Sequence, residues 1–247
     1  MYYVPTPVLR FRPMGIDKIS TLLDRNSSHS QLRPISLAFG QSNFPIQEYL
    51  DLSLQAKEVE TLLGYGEIRG QMSLREKISN FYASTSNKEN PPRPPFERGG
   101  SVEVPPERIL ITDGATGALV LALGLLVRPG SEVIIPAVGY AAYPRIVGVF
   151  GGIPRPAPLD AEFNLDRRRL PDLITSKTAA IILNSPGNPH GNIASLETLA
   201  EIASLGIPVI FDEVYQHSTF SDSSAPSATE LPGENFVVNG FSQQGSG

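Results

Sequence analysis

Cysteine and tryptophan are absent from the 247 residues, and histidine occurs only at His29, His190 and His217. Without cysteine the chain has neither a disulfide scaffold nor a thiolate metal site, and three scattered imidazoles make no zinc constellation. Long apolar runs are missing too. The longest, Ala118 to Val127, stops at Arg128, well short of the ~20 residues that cross a bilayer, and it reads as a buried helix. The opening Met1-Tyr2-Tyr3-Val4-Pro5-Thr6-Pro7 is broken by proline and does not read as a secretory signal, so a cytoplasmic location is expected. Positive charge is also in short supply. Lys and Arg total 20 against 25 Asp and Glu, a net charge of −5 with no basic stripe, so neither nucleic acid nor an anionic membrane is expected as a partner. Lysine does not recur after Lys177, nor arginine after Arg169.

What is present suits a folded α/β chain. A hydrophobic share of 40% is enough for a sizeable core. Residues 1 to 50 mix isolated apolar residues with Pro, Ser and Asn and read as an arm, with Ile35–Gly40 as its one strand candidate. Helical spacing follows over Leu50–Leu63, then a turn over Gly64–Gly70, then a helix over Ser73–Ala83 with Ser73 as its cap and Glu76 three residues on. Six prolines between Asn87 and Pro106, with Gly99-Gly100, exclude an element interior there and mark a surface loop.

From Arg108 onward the pattern alternates. Strands are predicted at Ile109–Thr112, Glu132–Pro136, Ile153–Pro158, Ala179–Asn184, Pro208–Asp212 and Asn235–Asn239. Helices are predicted at Gly117–Val127, Ala141–Val149, Arg167–Ile174 and Ser195–Leu205. Strands separated by helices of this length form βαβ units, which implies a mainly parallel sheet covered by helices. Such sheets bind ligands at the carboxyl ends of their strands.

Several polar segments fall at those ends. Thr112-Asp113-Gly114-Ala115-Thr116-Gly117-Ala118 links the first predicted strand to its helix. Its small residues, the Thr116 hydroxyl and the helix N-terminus could receive a phosphate; a tight βα turn with a helix cap accounts for the same residues. Asp113 is an awkward neighbour for an anion and is expected to point away or to cap the helix. Tyr140 and Tyr143 follow the second strand and could set a ring against a flat ligand, or could be amphipathic residues at the core edge. Asn184-Ser185-Pro186-Gly187-Asn188-Pro189-His190-Gly191 and Phe211-Asp212-Glu213-Val214-Tyr215 each follow an apolar strand. A carboxylate (Asp212), a phenol (Tyr215) and an amide (Asn188) can together hold a protonated heteroaromatic nitrogen and a ring oxygen. Asp212 could equally bind backbone N–H groups, and Glu213 is expected at the surface or in a salt bridge. Gly64, Gly66 and Gly70 do not make a dinucleotide loop, because a helix rather than a strand precedes them.

Taken in order, the turn at Leu63–Gly70, Leu74-Arg75, the Gly114–Ala118 segment, the aromatic after the second strand and the Asn184 and Phe211 motifs resemble the class I/II aminotransferases. Those enzymes depend on pyridoxal 5′-phosphate and share the aspartate-aminotransferase-like fold. The resemblance covers roughly residues 35 to 247. It implies residues 1–50 as an N-terminal arm and part of a small domain, residues 51–247 as an incomplete large cofactor-binding domain, a family sheet of seven strands, and a homodimer acting on an amino acid and a 2-oxo acid.

By motif, the resemblance gives Asp212 the pyridinium nitrogen, and Asn188 and Tyr215 the phenolic oxygen. Tyr140 would stack on the ring, and Ala115 and Thr116 would bind the phosphate. Tyr65 is similar to the tyrosine that reaches the partner subunit's cofactor phosphate, and Gly40 to the glycine of the substrate-binding segment. His190 stands where threonine is usual. Gln243 occupies the expected position of the Schiff-base lysine, and an amide can neither bond covalently to the cofactor nor move the substrate's α-proton. The resemblance therefore reads as a C-terminally truncated aminotransferase. In the family a further strand lies between the first predicted strand and the last, so exposed sheet edges are expected here. A non-catalytic cofactor-binding or interaction protein, and a lyase, decarboxylase or cyclase on the same fold, stand as alternatives.

Overall fold

The computed structural model of the chain describes residues 66–85, 104–220, 224–233 and 235–241. The strand candidate Ile35–Gly40, the helix Leu50–Leu63 and the site candidates Gly40, Tyr65 and Gln243 lie outside them. In chain order the elements are α1 (Met72–Thr85), a 3₁₀ turn (Pro106–Arg108), α2 (Gly114–Leu126), β1 (Glu132–Pro136), α3 (Tyr143–Val149) and β2 (Ile153–Ala157). There follow α4 (Leu170–Leu173), β3 (Thr178–Asn184), α5 (Leu196–Ala203), β4 (Val209–Asp212), a second 3₁₀ turn (Ala228–Glu230) and β5 (Phe236–Val238).

The strands form one sheet in the order β2-β1-β3-β4-β5, and every pairing is parallel. Buried residues run continuously along β3 and β4, as in a sheet covered on both faces. Successive side chains point to opposite faces, so the runs split two ways. Val133, Ile135, Ala180, Ile182, Ile210 and Val238 meet α2 and α3 in one core cluster. Ile134, Ile181, Leu183, Val209 and Phe211 meet α4, α5 and the second 3₁₀ turn in another. From β1 the chain steps outward to β2 and then crosses back past β1 to β3, β4 and β5, and this reversal of strand order opens a crevice at the carboxyl ends of β1 and β3. No described helix is long and apolar enough to cross a membrane.

Five of the six predicted strands are present within one residue at each end. Ile109–Thr112 is not a strand. Its backbone is extended at Ile109 and the Ile111 amide donates to the Arg69 carbonyl, but no described strand lies beside it, and extended backbone without a ladder partner is not sheet. Ser73 is not a cap either. The helix begins at Met72, which puts Ser73 in its first turn, and the Leu74 and Arg75 amides donate to the Gln71 carbonyl instead. The helix predicted over Arg167–Ile174 shrinks to Leu170–Leu173. Asp166 takes the amides of Arg168, Arg169 and Leu170 in a turn, and Pro171, with no amide to offer, fits the helix start. Nor is α2 buried all round: Leu119, Ala122 and Leu123 face the core, whereas Leu121 and Leu125 are 51% and 67% exposed.

The turn before α1 is anchored by Arg75. This buried guanidinium donates to the carbonyls of Gly70 (3.0 Å) and Pro106 (2.9 Å) and to Glu67 (2.7 Å). Gly70 has φ +90, and a β-carbon there would collide with Ile111, so only glycine suits the position.

Candidate active site at the carboxyl edge of the sheet

Asp212 closes β4 with its carboxylate 4% exposed. Its Oδ2 accepts a 2.5 Å hydrogen bond from the Tyr143 hydroxyl. Oδ1 is buried and has no hydrogen-bond partner. Burial raises this carboxyl above the ordinary aspartate range, while the Tyr143 bond and the nearby Val214 amide oppose the rise. The Tyr143 phenol is itself held well above its usual value by burial and then by the Asp212 charge, with smaller contributions from Tyr140 and Tyr215. The Tyr140 ring meets Tyr143 edge-on at 5.4 Å.

β3 ends at Asn184, whose buried amide links the two motifs. Its Nδ2 donates to the Asp212 carbonyl at 2.9 Å, and its Oδ1 accepts the Asn188 amide at 2.7 Å. Asn188 in turn brings its Nδ2 to 3.4 Å from the Tyr215 hydroxyl. The loop between them is held from within: Gly187 donates to the Asn192 carbonyl, and a β-carbon at Gly187 would collide with the Asn192 side chain. Ser185 Oγ accepts the Ala194 amide, and His190 stacks on Phe163 at 4.4 Å.

On the other side, α2 begins at Gly114 with φ +66. Ala115 is half-buried against the same core cluster as Tyr140 and Tyr143, and Thr116 is exposed in the first turn. Asp113 takes the cap position but makes no side-chain cap bond, and it is exposed, so the capping expectation for it fails.

Asp212, Asn188, Tyr215 and Tyr140 are thus brought to one edge of the sheet, and the phosphate candidates Ala115 and Thr116 sit at the N-terminus of the helix packed beside it. Three contributors escaped the sequence. From the sequence Tyr143 offers only a ring, because the partner of its hydroxyl lies 69 positions away. Asn184 opened the motif without a role, although an amide at the last buried position of an apolar strand was a usable sign. Glu213 is neither at the surface nor in a salt bridge: it is 2% exposed and accepts the Ser227 hydroxyl and the Ala228 amide, each at 2.7 Å. Burial pushes its carboxyl up to about 7, against the lowering effect of those two bonds.

Residues 35–244 match the family described as aminotransferase class I and II. The chain belongs to the class I and II aminotransferases. Curated relatives in this family include an aspartate aminotransferase of Pyrococcus abyssi, 31% identical, with 85% of this chain aligned to 53% of that protein. Another, from Sulfolobus acidocaldarius, is 30% identical over 86% of this chain and 52% of its own length. Among solved structures, an aminotransferase-like protein of Methanococcus jannaschii, reported as similar in its active site to kynurenine aminotransferases, superposes with a TM-score of 0.76 at 26% identity, over 98% of this chain and 60% of that one. The fold is shared with the aspartate aminotransferase of Thermus thermophilus, at a TM-score of 0.79 and 22% identity over 98% of this chain and 61% of that one. The chain spans between about half and 60% of the length of these relatives.

Aminotransferases of this family use pyridoxal 5′-phosphate, and the residues present fit it. An unpartnered oxygen on a buried carboxylate is what a protonated ring nitrogen requires. An amide N–H beside a phenol suits a ring oxygen, and a helix that opens on glycine and alanine leaves room and free N–H groups for a phosphate. Among the described residues no His/Asp/Glu group could hold a metal ion.

Proposed function

We propose that this chain binds pyridoxal 5′-phosphate at the carboxyl edge of its sheet and belongs to an enzyme that moves an amino group from an amino acid to a 2-oxo acid. The observation that carries the reading is Asp212, a buried carboxylate with one oxygen held by Tyr143 and the other free. Such a group costs several kcal/mol to keep charged unless a positive partner arrives. Bound there, the cofactor would supply an electron-withdrawing ring able to stabilise negative charge at the amino acid's α-carbon.

The chain's own residues divide the work of binding. Asp212 holds the ring nitrogen protonated, Asn188 and Tyr215 hold the ring oxygen, and Tyr140 covers one face. The α2 amides at Ala115 and Thr116, with the Thr116 hydroxyl, hold the phosphate. Tyr65 and Gly40 carry the roles of the partner-facing phosphate ligand and the substrate-carboxylate segment in a homodimer. Gln243 takes the place of the lysine, so binding is non-covalent and α-proton transfer has no amine at that position.

Titrating the purified protein with pyridoxal 5′-phosphate tests this directly. Saturable binding with a shifted absorbance band is expected, and Asp212→Ala should weaken it by at least tenfold. Borohydride treatment should leave no cofactor mass on residue 243, whereas Gln243→Lys should acquire it. Absence of saturable binding, or equal affinity for Asp212→Ala, removes the proposal.

A further inference from the structure

We propose that Tyr143 is a positioning residue that fixes which oxygen of Asp212 meets the ring nitrogen, a role that rests on the cofactor reading above. A phenol has one proton to donate, and here it is spent on Oδ2 at 2.5 Å, in the range of a charge-assisted bond. The ring cannot wander. Tyr143 is 1% exposed and sits in the core cluster with Ile146, Val147 and Ala180. It opens α3, with Pro144 restricting the backbone at the helix start, and Tyr140 meets it edge-on.

The consequence lies on the other side of the carboxylate. A carboxylate free to turn about its last torsion presents either oxygen, because that torsion is soft and roughly two-fold. Held at Oδ2, the Asp212 carboxylate is fixed in orientation, and Oδ1 is the oxygen left without a partner. Losing the phenol would do two things: the buried carboxylate would keep only the nearby Val214 amide in its support, and the balance would tip toward a neutral carboxyl, which attracts a pyridinium poorly. The titratable groups around this carboxylate are Tyr143, Tyr140, Tyr215 and the adjoining Glu213. Tyr143 alone among them makes a hydrogen bond to it.

The test compares pyridoxal 5′-phosphate with its analogue in which carbon replaces the ring nitrogen, by equilibrium binding to the whole chain. In the wild type the natural cofactor should bind more tightly than the carbon analogue. Tyr143→Phe should weaken the natural cofactor about tenfold and the carbon analogue less than twofold. In an Asp212→Ala background the same change should have no further effect, because the acceptor is gone. Tyr143→3-fluorotyrosine keeps the shape while strengthening the donor, and it should widen the gap between the two ligands; it serves where Phe does not fold.

An equal loss for both ligands in Tyr143→Phe, or an unchanged gap with 3-fluorotyrosine, overturns the positioning role and leaves the cofactor reading intact. Failure of the wild type to bind the natural cofactor overturns both.

Discussion

Glu213 follows Asp212 directly, and because it lies on the opposite side of the pleat its side chain serves a different end. It reaches the Ser227 hydroxyl and the Ala228 amide and so ties the end of β4 to the second 3₁₀ turn, where Ser227 and Glu230 also make a reciprocal cap. Its carboxyl titrates near 4.5 when unfolded and about 7 when folded. The folded state therefore holds the proton more tightly, so the stability this group contributes is full below pH 4.5 and is lost as pH rises through about 7. The difference corresponds to about 3 kcal/mol. Glu213→Gln should remove most of that slope, because an amide can still accept the Ala228 N–H and meet the Ser227 oxygen. Chemical denaturation of both proteins at pH 5 and pH 8 reads it: the variant is expected to match or exceed the wild type at pH 8 and to be the weaker of the two at pH 5. Parallel pH profiles would show that Glu213 does not titrate in this range.

At the level of elements, Arg75 is the point where sequence-distant segments meet. It is buried and bonded to two carbonyls and to Glu67. Arg75→Met keeps the apolar stem but leaves the Gly70 and Pro106 carbonyls without their donor, a loss of about 2–4 kcal/mol. Glu67 is more than half exposed, so Glu67→Gln should cost under about 0.5 kcal/mol. Denaturant midpoints of the two variants separate a buried anchor from a surface ion pair, and equal midpoints would refute the anchor. Elements of this kind were unevenly legible. β1, β3 and β4 could be read because apolar runs bounded by Pro, Gly or Asn have few other uses. Ile109–Thr112 carries the same local signal, but a strand is made by its neighbour, and no local pattern announces whether one is there. The same limit applies to the site. Asp212, Asn188 and Tyr215 stand in two motifs at strand ends, so their types and places were readable. The Tyr143 bond depends on β1, β3 and β4 lying side by side, an order that strand content does not carry.

At the scale of the whole molecule, two apolar surfaces among the described residues differ in shape, and shape decides how each should behave. Leu121 and Leu125 form a convex stripe on α2. The other place is a concave cleft of about 790 Å³ between Ile109–Thr112 and the outer side of β5, floored by residues such as Val237 and rimmed by Ile78, Leu110 and Phe241. It lies where the sheet edge was expected to be bare, and the half-exposed Leu110 and more open Phe241 mark its mouth. A concave apolar site encloses a planar hydrophobic molecule on several sides, whereas a stripe touches it on one, and buried area sets the gain at about 25 cal/mol per Å². The native protein at neutral pH should therefore bind the dye anilinonaphthalene sulfonate, with enhanced emission. Leu110→Lys with Phe241→Ser should cut that emission several-fold while moving the melting temperature little, since both side chains are already about half or more exposed. Leu121→Lys with Leu125→Lys should leave the emission near the wild-type level, because those changes break up the stripe and not the cleft. Equal loss of dye emission in the two double variants would mean that the dye reports general surface apolarity, and the cleft would then have no separate standing as a binding surface.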